Sequence, residues 1–161
     1  MGFNIAGVVI NKNFESEISS LGKHINKNIK EFTEIDFEDA VSEYEHLGII
    51  DVLFSEKGTM LIMNLDLCLN YYHMNDLETF AFSIDESSNS FAYHWSFNGN
   101  EVGDGWSYPQ MIMEYKSSDN FDLGAHEKKI TDFISERLID LFGKDIYNID
   151  PGIKVKRFKV V

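Results

Sequence analysis

The hydrophobic period of the chain changes at Gly48, and that change limits the folds open to it. Before Gly48, apolar residues recur at helical spacing: Phe14, Ile18, Leu21 and Ile25 lie at intervals of four, three and four. After it the period is two. Residues 49–54 and 59–63 flank Ser55-Glu56-Lys57-Gly58, a hairpin loop with a glycine. Residues 79–84 and 90–97 alternate, and the second run ends at Asn98-Gly99-Asn100, a strong turn signal. The helical period returns at Ile130, Phe133, Ile134, Leu138, Leu141 and Phe142, with Gly143 at its end. Strands run together between helical segments predict an α+β fold. The expected form is a mostly antiparallel, meandering sheet packed by two or three helices in a single domain over 1–161.

Other segments fill in this outline. Residues 3–10 read as a buried strand, and Asn13 as a cap for the helix that follows. Residues 29–35 are a weak strand. Asp36 with Asp39 resembles a capping box, which predicts a helix over 36–47 with a stripe of Phe37, Ala40, Val41, Tyr44 and Leu47. Gly48 stands where a terminating glycine belongs. Residues 64–77 read as a long connection. The glycines at 99, 103 and 105 read as turn chemistry, and 106–115 as an edge strand broken by Pro109. Residues 152–161 read as a basic strand or tail.

Charge is unevenly placed. Of the net -13, residues 1–30 contribute +2, residues 31–115 contribute -16 and residues 116–161 contribute +1. The acidic middle is rich in Phe, Tyr, Ile and Leu, so it can bury a core and is no disordered acidic tail. A chain this acidic is not expected to bind nucleic acid, because phosphate affinity needs a basic surface. No apolar run approaches the ~20 residues of a membrane span. Residues 3–10 lack the basic leader of a signal peptide, so a cytoplasmic location is expected.

Chemical motifs are missing. The five histidines show no HxH or HExxH, and the single cysteine, Cys68, allows no CxxC. Cys68 has no basic neighbour to lower its pKa and reads as a small buried residue rather than a nucleophile. There is no G-x-S-x-G elbow and no phosphate-binding glycine loop. As a calcium loop, the segment from Asn98 fails at Val102 and Pro109. The expectation is therefore no catalytic residue, no metal ligand and no cofactor.

Two functional readings compete. The first is a non-enzymatic interaction domain whose acidic surface binds a cationic protein partner. Bacterial immunity and antitoxin proteins, small and acidic, neutralise basic toxin domains in this way. The contact is expected on the 36–47 helix, at Asp36, Glu38, Asp39, Glu43 and Glu45. Glu43 and Glu45 rank first, since both stand near the negative end of the helix dipole, where like charge is least explained by structure. The second reading is a small-molecule-binding domain or enzyme using the aromatic strand 90–97 and the 64–77 connection, with Tyr71, Tyr72, His73, His94 and Trp95 lining a pocket. A homodimer joining the basic tail to the acidic middle is a third reading.

Overall fold

The computed structural model describes residues 4–42, 45–68, 74–107, 114–117 and 130–161. The strands are β1 (Asn4–Ile10), β2 (Ile29–Asp36), β3 (Ile49–Phe54), β4 (Thr59–Ile62), β5 (Glu78–Asp85), β6 (Ser90–Phe97), β7 (Asn100–Ser107), β8 (Glu114–Ser117) and β9 (Lys154–Val160). The helices are α1 (Ile18–His24), α2 (Phe37–Ser42), α3 (Leu65–Cys68) and α4 (Ile130–Phe142). All nine strands form one sheet in the order β2-β9-β3-β4-β1-β5-β6-β7-β8. Every pairing is antiparallel.

Helices cover both faces, which explains the unbroken apolar runs of the central strands. On one face Phe133, Ile134, Leu138 and Leu141 of α4 cluster with Val9, Met60, Phe80, Phe82 and Tyr93. On the other, Phe14, Leu21 and Ile25 around α1 and Cys68 of α3 cluster with Val8, Ile10, Val52 and Leu61. A strand in contact with helices on both sides cannot alternate with polar residues, and β4 is buried at all four positions. Each such Leu, Ile or Phe contributes about 1.5–3 kcal/mol through removal from water. The β3–β4 hairpin approaches the end of α4 closely. A Cβ added at Gly58 would stand under 3.0 Å from the backbone oxygens of Leu141 and Ile10.

The weak strand at 29–35 forms as β2, and the expected helix over 36–47 is shorter at both ends: α2 is Phe37–Ser42, and the described residues 45–47 are not helical. Asp36 is the last residue of β2. The first amides of α2 explain the boundary: Phe37 donates to the Ile153 carbonyl and Glu38 to that of Pro151, each at 2.9 Å. These contacts satisfy the helix start without a side-chain cap, so Asp36 stays in the sheet. Leu47 is 68% exposed and not part of the stripe, because His46 and Gly48 both have positive φ and turn the chain outward. Tyr44 lies outside the described residues.

The glycine-rich stretch is a strand, not a loop. Only Asn98-Gly99 turns, with φ of 51° and 77°. The left-handed pair suits a two-residue hairpin and commits Asn100 onward to β7. Gly103 and Gly105 then stand opposite Trp95 and Tyr93. There they leave room for two large rings on the neighbouring strand. The expected strand at 106–115 is divided: Trp106 and Ser107 belong to β7, residues 108–113 (with Pro109) lie outside the described residues, and β8 stands at the sheet edge. The 64–77 connection contains α3.

The basic tail is an interior strand. β9 pairs with β2 on one side and β3 on the other. The cations expected to seek an acidic surface on a second copy meet acids of their own chain: Lys154 bonds Asp36, Lys156 lies 3.7 Å from Glu31, and Arg157 bonds Asp51. No described helix is long and apolar enough to cross a membrane.

Candidate functional site

The acids singled out in the sequence gather where β2 hands over to α2. Glu34 and Asp36 leave the end of β2, and Glu38 and Asp39 begin α2. The antiparallel neighbour β9 places Lys154 beside Asp36 in register. The Lys154 ammonium bonds the Asp36 carboxylate, and this bond, followed by the charges of Glu34 and Asp39, raises its pKa. Glu34, Glu38, Asp39 and Glu45 are exposed. Among the described residues, Glu38 and Glu45 form no ion pair. Glu45 is held away from α2 through its backbone carbonyl, which accepts from Asn64 Nδ2 at 2.8 Å. Glu43 lies outside the described residues.

Of the five residues named for an alternative pocket, the structure describes two. Tyr71, Tyr72 and His73 lie outside the described residues. His94 and Trp95 are neighbours on one strand, so they face opposite sides of the sheet. Trp95 joins Phe91 and Tyr93 under α4, with Phe133 4.7 Å from the Tyr93 ring and 5.9 Å from that of Trp95. Its indole nitrogen donates to Glu78 Oε2 at 2.9 Å, and the Arg137 guanidinium lies 4.7 Å over the ring. The aromatic face is therefore core. Phe97, the last residue of β6, is 52% exposed.

His94 lies on the other face with two residues of β7. The side-chain ligand atoms of His94, Glu101 and Asp104 all fall within 4.8 Å of one another. This cluster escaped sequence reading because its ligands come from two strands with no short spacing motif.

A buried charge network was also missed. Asp51, fully buried in β3, accepts from Arg157 Nε and Nη2, each at 2.8 Å, and stands 3.0 Å from His46 Nε2. Burial alone would raise the carboxyl pKa. The bonds from Arg157 and His46 overcome that effect and hold it below the usual range. The available signal was an acid inside an apolar run, Ile49-Ile50-Asp51-Val52-Leu53. His46 also lines a cavity of about 70 Å³ with Asn4, Ser83 and Asp85, room for a few waters.

Cys68 is structural. Its thiol is buried, 3.1 Å from the Gly7 carbonyl oxygen and 3.3 Å from that of Phe82. Burial pushes its pKa up to about 12, so it carries no thiolate at neutral pH. A groove of about 440 Å³ runs between the β3–β4 hairpin and the end of α4. Leu53, Phe142, Ile149 and Ile153 line it with Lys57 and Lys144. Comparison with protein families, with curated proteins and with solved structures finds no match to this chain.

Proposed function

We propose that the chain is a non-enzymatic binding protein that uses an acidic surface to hold a cationic protein partner, in the manner of immunity and antitoxin proteins. The observation that carries this reading is the β2–α2 junction, where Asp36 bonds the Lys154 ammonium and the charges of Glu34 and Asp39 also act on it. Glu38 stands exposed beside them on α2. A surface that already gathers carboxylates around one lysine suits a second cation brought by a partner. Exposed charges of this kind act on the rate of encounter more than on the lifetime of the complex, and salt screens them. The net -13 of the whole chain adds long-range attraction for a basic partner. Of the acids expected to make the contact, Asp36 is engaged by Lys154, so Glu38 and Asp39 take first place.

The test compares the wild type with the double variant Glu38→Lys, Asp39→Lys. Each is immobilised and offered native lysate of its source cell at low and at high salt. A basic protein retained by the wild type at low salt is purified and its association rate measured. That rate is expected to fall at least about tenfold in the double variant and to fall with salt for the wild type. Retention of no basic protein, or equal rates for both chains, overturns the reading.

A further inference from the structure

We propose that His94, Glu101 and Asp104 bind one divalent first-row transition-metal ion. The inference is independent of the acidic surface at the β2–α2 junction. It rests first on how two strands bring the three side chains together. His94 of β6 pairs directly with Asp104 of β7, so the two share a face of the sheet. Glu101 would not join them in a regular ladder. With Trp95 opposite Gly103, an unbroken register sets Ser96 opposite Val102 and puts Glu101 on the Trp95 face. The register instead shifts, and Ser96 stands opposite Glu101. Val102 is the additional residue of a β-bulge. That single insertion transfers Glu101 to the face of His94 and Asp104, a re-aiming that bulges accomplish beside functional sites.

The second observation is Asp104 itself. Its Oδ1 is buried with no hydrogen-bond partner among the described residues. A sequestered carboxylate oxygen without a donor is costly, and a cation is the group that removes the cost. Ser96, on the same face, is engaged with the neighbouring strand instead, its hydroxyl 2.7 Å from Thr79 Oγ1.

The ligand set selects the ion. One imidazole with two carboxylates suits Mn²⁺ through Zn²⁺ better than Ca²⁺ or Mg²⁺, which prefer oxygen alone, and offers no thiolate for Cu⁺. Metal–ligand bonds of ~2.0–2.2 Å at tetrahedral angles set ligand atoms ~3.3–3.6 Å apart. The cluster, within 4.8 Å, reaches that spacing by a contraction of up to about 1.5 Å. Glu101 is exposed and long enough to supply it by rotation. His94 and Asp104 keep their places on paired strands. Three protein ligands also leave coordination positions for water or a substrate group, as in catalytic rather than closed structural centres.

The test titrates the full chain with Zn²⁺ by calorimetry and follows Co²⁺ addition by proton NMR. Wild type is expected to take up about one equivalent of Zn²⁺ saturably. His94→Ala and Asp104→Asn are each expected to lose at least about tenfold in affinity, since loss of even an outer partner of a metal ligand costs that much. On the unmodified chain, the His94 ring protons are expected to shift first on Co²⁺ addition, before those of the other four histidines. That readout does not depend on either variant folding. Absence of saturable uptake, equal affinity in both folded variants, or another histidine responding first overturns the proposal.

Discussion

Asp51 is the residue on which most depends. A carboxylate with no exposed surface is retained only because Arg157 meets it with two parallel bonds and His46 with a third contact. Breaking one member of a buried pair leaves the others uncompensated, so Asp51→Asn is expected to destabilise by about 3–5 kcal/mol. Its pH dependence has a definite sign. The folded pKa lies below the ordinary 3.8, so the stabilisation is complete above that value and is lost as pH falls through the folded pKa. Wild type is therefore expected to lose stability as pH falls below about 4, with a smaller loss for Asp51→Asn. Denaturant midpoints measured between neutral and strongly acidic pH check both statements. Parallel curves for the two chains would remove Asp51 from the account.

At the scale of elements, the β3–β4 hairpin and α4 hold each other in place at Gly58. Both atoms nearest an added Cβ are backbone oxygens, from β1 and from α4, and neither yields without moving its element. Gly58→Ala is expected to cost about 1–3 kcal/mol, as overpacking does. It should lower the urea midpoint with little change in slope; an unchanged midpoint would mean that α4 is free to shift. Residues 49–54 with 59–63, residues 79–84, residues 90–97 and the face of α4 were legible because hydrophobic period is a local signal. The end of β2 was not, since Asp36 and Asp39 have the spacing of a cap whether or not the helix starts there. What decides the matter is a bond from Phe37 to Ile153, more than a hundred positions away. β7 was misread because glycines that make space for Trp95 and Tyr93 look like glycines that turn a chain. The cluster of His94, Glu101 and Asp104 was invisible for a related reason: Glu101 joins the other two only through a bulge, and alternation read along the sequence puts it on the opposite face.

For the molecule as a whole, the net charge of -13 acts against compactness, while exposed pairs such as Lys154–Asp36 and Lys156–Glu31 contribute little each. Screening is expected to relieve more repulsion than attraction. The melting temperature at neutral pH should therefore rise between low salt and about 0.15 M sodium chloride, where the Debye length is about 8 Å. A fall would show that the β2–β9 ion pairs outweigh the repulsion. The position of β9 has a consequence for synthesis as well. Chains are made from the N-terminus, so β9 leaves the ribosome after the other eight described strands. Until it arrives, β2 has no neighbour and β3 has only one. The nascent chain then carries two open edges, one beside the apolar Ile50 and Val52, where a chaperone or another unfinished chain can pair. Completion requires a late insertion between strands already formed, closing a separation of 118 residues between Asp36 and Lys154. The four cations of β9 enter beside the acids of β2 and Asp51, so charge attraction guides the strand into its slot.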